Sequence, residues 1–145
     1  MLLALATASA ADRPNFSGTW TLNRQKSDFG PLPAPAAYER KVVHDEPLIQ
    51  MSVHQASALG EQTVESVIRT DGHETTNPSR NGETHTIGKW SGDALEVTTR
   101  RTVEGGEAVT KEVWTLSADG RELTSEANLT TPRGEFHIHM VLEKR

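Results

Sequence analysis

The spacing of turn signals constrains this chain more than any other feature. Asp71-Gly72, Asn81-Gly82, Ser91-Gly92-Asp93, Gly105-Gly106, Asp119-Gly120 and Pro132-Arg133-Gly134 recur at short, nearly regular intervals of roughly ten residues, each supplying a residue that tolerates the positive φ of a tight hairpin. Between them lie Glu61–Thr70, Thr84–Trp90, Ala94–Thr102, Ala108–Ser117, Leu123–Thr130 and Glu135–Lys144, rich in Thr, Val, Ile and Trp, which read as strands. From Tyr38 to Arg145 no segment sustains a 3.6-residue apolar period with caps, so the pattern predicts hairpins and not βαβ units.

Alternation says which faces are apolar. Phe136, Ile138, Met140 and Leu142 share one side of the last strand, opposite Glu135, His137, His139 and Glu143; Ile49, Met51 and Val53 alternate with Gln50, Ser52 and His54. In Leu123–Thr130 the apolar side is diluted to Leu123, Ser125, Ala127 and Leu129, which lets an interior keep space. Closing eight to ten such strands removes the edges that an open sheet would expose. The expected fold is therefore all-β, an antiparallel up-and-down β-barrel of about eight to ten strands. Asn23–Ala37 carries three prolines in five residues and cannot be a central strand. It reads as a long loop, either a lid or a Pro-stiffened crossover covering one barrel end.

Composition sets the function classes. At 145 residues the chain fits one domain with its own core. A net charge of −5 and a pI near 5.7 argue against nucleic acid as a partner. With no cysteine, disulfides, thiolate metal sites, iron–sulfur clusters and thiol catalysis are excluded, and no cofactor is expected. Met1–Ala11 is an uncharged apolar run ending in Ala8-Ser9-Ala10, the small-x-small pattern of a signal peptide cleavage site, although it is short and lacks a basic start. We expect residues 1–11 to be a leader, residues 12–145 to form the barrel, and the product to be periplasmic or secreted. The apolar run is about half the ~20 residues that a membrane-spanning helix needs.

Asn15-Phe16-Ser17-Gly18-Thr19-Trp20 resembles the Gly-x-Trp opening of lipocalin and wider calycin barrels. That resemblance implies that Trp20 plugs the closed end, that Gly18 permits close packing there, and that Lys144 from the last strand lies over the ring. The chain is also similar to small exported bacterial lipocalin-like proteins, through Lys26-Ser27-Asp28-Phe29-Gly30-Pro31, Lys89-Trp90-Ser91-Gly92-Asp93-Ala94-Leu95 and Trp114-Thr115-Leu116-Ser117-Ala118-Asp119-Gly120.

Three functional readings follow. In the first, a monomeric barrel holds a small hydrophobic or amphipathic molecule, with Trp90, Trp114, Met51 and Met140 as wall. Leu95, Val97, Thr99 and Arg101 alternate together, which makes Arg101 the inward member of Arg100-Arg101 and a candidate anchor for a ligand carboxylate, or else a rim residue paired with Glu. In the second, His44 with Arg101 or a carboxylate does acid–base work on a small hydrophobic substrate. In the third, His137 and His139 on the outer wall contact a partner. His137-Ile138-His139 has a spacing that two ligands of one metal use, yet parity places the pair outside, and no His-Glu-x-x-His grouping exists, so no metal is expected.

Overall fold

The computed structural model describes residues 13–58, 60–79 and 82–145; the expected leader Met1–Ala11 lies outside them. Ten strands follow one another: β1 Gly18–Leu22, β2 Ala37–Asp45, β3 Leu48–Ser57, β4 Gly60–Arg69, β5 Asp71–Ser79, β6 Gly82–Ser91, β7 Ala94–Val103, β8 Gly106–Leu116, β9 Glu122–Thr131 and β10 Gly134–Lys144. Among the described residues there is no helix. The sheet order is β4-β3-β2-β1-β10-β9-β8-β7-β6-β5, with antiparallel pairing throughout. The first and last strands are joined, with Trp20 opposite Lys144. The expected antiparallel up-and-down barrel is therefore what forms, at the upper end of the expected strand number.

Closure is completed differently at β4 and β5, the two ends of the strand order. Among the described residues no ladder joins them. Instead the Asn77 side chain serves both backbone groups of Val67: the Val67 N–H donates to Asn77 Oδ1 at 2.8 Å, and Asn77 Nδ2 donates to the Val67 carbonyl at 3.0 Å. Thr75 Oγ1 donates to that carbonyl as well, at 2.7 Å. A buried side chain thus satisfies donors and acceptors that a missing strand pair would leave open. Farther along the seam, β6 passes so near the end of β4 that a Cβ on Gly88 would sit 2.5 Å from the Arg69 carbonyl oxygen. Only glycine allows that approach.

Register fixes which side chains enter the barrel. Trp20, Val42, Ile49, Ile68, Leu95, Val97, Trp114, Leu123 and Leu142 point inward and, with Phe16 from the segment before β1, form one fully buried core. These positions lie toward one end, which the β2–β3, β4–β5, β6–β7 and β8–β9 turns surround. Toward the other end the inward positions Val53, Val64, Thr99, Leu129, Phe136 and Ile138 are only half-buried. Since a strand's inward side chains meet water only where the interior is incompletely filled, packing is looser toward that end, although inward Asn77, Thr86 and Ala108 are buried there.

The loop of residues 23–36 runs along β10 before turning to β2. Ser27 Oγ accepts from the Val141 N–H at 2.9 Å, and Asp28 and His139 exchange backbone bonds of 2.7 and 2.8 Å. Its proline-rich part then borders a cleft of about 390 Å³ at the open end, lined by Pro33–Ala36 and by the β3–β4 hairpin.

Candidate functional site

The closed end is built around Phe16. Its ring stacks on His44 at 5.8 Å and on Trp90 at 5.9 Å, and meets Trp114 edge-on at 5.6 Å. The Phe16 N–H donates to His44 Nδ1 at 3.1 Å, which fixes the imidazole as the Nε2–H tautomer; Nε2 then donates to Glu46 Oε1 at 2.5 Å. Thr70 Oγ1 and Trp90 Nε1 donate to the other Glu46 oxygen at 2.8 and 3.4 Å. Partial burial works against the Glu46 charge, but the bonds from His44, Thr70 and Trp90 outweigh it and hold the carboxyl below its ordinary range.

Trp20 is fully buried and donates from Nε1 to the Phe16 carbonyl at 2.9 Å. Lys144 Nζ lies 5.7 Å from the Trp20 ring centroid. At Gly18 φ is +145°, and a Cβ there would meet Lys144 Cε at 2.9 Å. Gly18, Trp20 and Lys144 therefore share one contact at the solid end of the barrel.

Above this core, Arg40 reaches from β2 across the interior to β8, where its guanidinium carbon lies 5.0 Å from the Trp114 ring centroid. The residue is 3% exposed. Its Nε and Nη2 donate to the Tyr38 hydroxyl at 3.2 and 2.8 Å, while buried Nη1 has no hydrogen-bond partner among the described residues. Burial opposes the charge, yet the Tyr38 oxygen and the Glu112 carboxylate outweigh it and push the guanidinium pKa above its ordinary value. Glu112 faces inward between Val97 and Ala127 of the adjoining strands. One of its oxygens, Oε1, accepts from Ser125 Oγ at 3.2 Å and from Trp114 Nε1 at 3.4 Å.

The sequence-derived candidates fall at three levels. Trp114 is fully buried in the core, and half-buried Trp90 belongs to the closed-end stack, where Arg13 lies 5.3 Å from its ring centroid. Met51 and Met140, with Tyr38, are half-buried and pack against the core. Exposed Arg101 borders a cleft of about 530 Å³ at the open end, beside Gln62, Val64, Ser79 and Thr84. His44 and Arg101 are thus at opposite ends, and both His44 ring nitrogens are engaged. His137 and His139 lie on the outer wall and both contact Glu126, with His137 Nε2 at 2.9 Å from it. Among the described residues no cluster of three His, Cys, Asp or Glu side chains is arranged to hold a metal.

Tyr38, Arg40, Glu112 and Ser125 were not among those candidates. Parity carried the signal: Tyr38, Arg40, Val42 and His44 alternate together, as do Ala108, Thr110, Glu112 and Trp114. Read locally, Glu39-Arg40-Lys41 and Lys111-Glu112 look like solvated charge, and only the partner strands show that Arg40 and Glu112 turn inward.

A ten-stranded, nearly closed antiparallel barrel with a sealed core toward one end has a calycin-type, lipocalin-like fold. Solved structures agree. The zebrafish ileal bile acid-binding protein, in complex with cholic acid, matches with a TM-score of 0.61 at 13% identity, covering 90% of this chain and 98% of its own. A secretary abundant heat soluble protein from Ramazzottius varieornatus matches with a TM-score of 0.67 at 14% identity, over 89% and 94% of the two chains. Human cRBP IV gives a TM-score of 0.56 at 15% identity, over 91% and 99%. No protein-family model and no curated protein sequence matches the chain.

Proposed function

We propose that this protein is an exported, monomeric barrel that holds one small hydrophobic or amphipathic molecule in its chamber. The observation that carries the reading is the accessibility of inward-facing Val53, Val64, Leu129, Phe136 and Ile138, whose counterparts toward the other end are sealed. Apolar surface kept wet inside a barrel is stabilised by roughly 25 cal/mol for each Å² that a ligand covers. Met51 and Met140 supply deformable contacts at the base of the chamber, with Trp114 behind them, and Arg101 stands at the entrance. The zebrafish ileal bile acid-binding protein, a neighbour in fold solved with cholic acid, supports the reading. Export is supported by the apolar run ending in Ala8-Ser9-Ala10, and the N-terminal residue of protein recovered from the producing cell tests it.

The binding test uses delipidated protein and the neutral apolar fluorophore N-phenyl-1-naphthylamine. Saturable uptake of one fluorophore per chain is expected, with loss of uptake in Ile138→Trp, which fills the chamber. Absence of saturable uptake by the wild-type protein overturns the reading.

A further inference from the structure

The base of the chamber carries two opposite charges that are not equally accessible. The Arg40 cation is covered: Tyr38 takes two of its nitrogens, Trp114 lies against its carbon, and Nη1 is sealed from solvent. No carboxylate lies within ion-pair distance of it among the described residues. Half-buried Glu112, by contrast, keeps accessible surface on the inward side of β8, although the residues flanking it, Val97 and Ala127, are buried. Its Oε2 accepts no hydrogen bond among the described residues. The Tyr38 oxygen accepts from Arg40 twice, and its own proton has no acceptor among them.

A molecule arriving at this floor therefore meets one unused donor, the Tyr38 O–H, and one unused acceptor, Glu112 Oε2. We propose that the chamber selects a neutral hydroxyl head, that of an apolar alcohol, over the carboxylate or the amine on the same carbon chain. The inference rests on the interior-binding reading above. A hydroxyl accepts from Tyr38 and donates to Glu112, leaving the Arg40–Glu112 charges balanced. A carboxylate places a second negative charge beside Glu112 while the guanidinium that would offset it is covered. An ammonium leaves two cations against one carboxylate. Uncompensated charge in a water-poor interior is disfavoured whichever sign it has.

The test is displacement of bound N-phenyl-1-naphthylamine from the full chain at pH 7.5 by dodecan-1-ol, dodecanoate and dodecylammonium. Dodecan-1-ol is expected to bind about tenfold more tightly than either ion, the scale of one hydrogen bond to a charged acceptor. Tyr38→Phe should weaken the alcohol by about fivefold, and Glu112→Gln should reduce its advantage over dodecanoate to about twofold. Dodecanoate binding as tightly as the alcohol overturns the inference, as does an advantage that Glu112→Gln leaves intact. Equal displacement by all three overturns the head-group inference while the chamber reading stands. Failure of all three, with no fluorophore uptake at the outset, overturns both. Should Glu112→Gln not fold, the wild-type series decides alone.

Discussion

The backbone N–H of Phe16 and the ring of His44, 28 residues apart in sequence, form the joint that closes the solid end of the barrel. The bond ties the segment before β1 to the end of β2, and ring stacking brings Trp90 of β6 into the same unit. Replacing His44 leaves a buried N–H without an acceptor and a void beside Phe16. We expect His44→Ala to lower stability by about 2–4 kcal/mol in urea titrations. A loss below about 0.5 kcal/mol would show that the plug does not depend on this joint.

Glu46 ties the same unit to acid. Its carboxyl is held below the ordinary value of 4.5, so the folded state binds that proton less readily than the unfolded chain. The resulting stabilisation is complete above the unfolded value and is lost as pH falls through the lowered folded one. Comparing melting temperatures between pH 3 and pH 7, we expect Glu46→Gln to flatten the acid limb of the profile. An acid limb of unchanged slope in that variant would contradict the account.

The β4–β5 seam depends on Asn77. Removing its amide leaves the Val67 N–H and carbonyl short of partners, although Thr75 still serves the carbonyl. Asn77→Ala should cost about 1–3 kcal/mol, and the Val67 amide should exchange with deuterium faster than amides in the β8–β9 ladder. Wild-type protection at Val67 in the variant would falsify this role.

Gly88 sets how closely β6 and β4 approach. Because an added methyl would lie 2.5 Å from the Arg69 carbonyl oxygen and 2.9 Å from Ile68 Cγ2, Gly88→Ala must push the strands apart. The expected loss is about 1–3 kcal/mol by thermal or chemical unfolding. Unchanged stability would mean that the seam has slack.

Lys144 tests the plug from outside. Its ammonium lies over buried Trp20 but is itself exposed, so Lys144→Met should cost no more than about 0.5–1 kcal/mol and should alter Trp20 emission. A loss of several kcal/mol would assign this lysine a larger part than exposed cation–π contact allows.

Much of the fold was legible along the chain. The segments read as Glu61–Thr70, Ala94–Thr102 and Glu135–Lys144 correspond to β4, β7 and β10 within a residue or two. That agreement arises because side-chain alternation and the positive φ of turn glycines are local properties. The strand Asp71–Ser79 was not foreseen, since Pro78 and a run of polar residues hide its period and its register slips between Asp71 and Glu74. A proline is tolerated there because β5 has a ladder on one side only.

The amino-acid order alone settled the hairpin sequence, the alternating faces and the all-β class, because each depends on neighbours one to four residues away. The tertiary structure decided which inward side chains are sealed and which stay accessible. It also buried Arg40 against Trp114, left Glu112 accessible, and joined β4 to β5 through a side chain. Those outcomes depend on strand register and barrel closure, which bring residues dozens of positions apart into contact and so have no local signature in the chain.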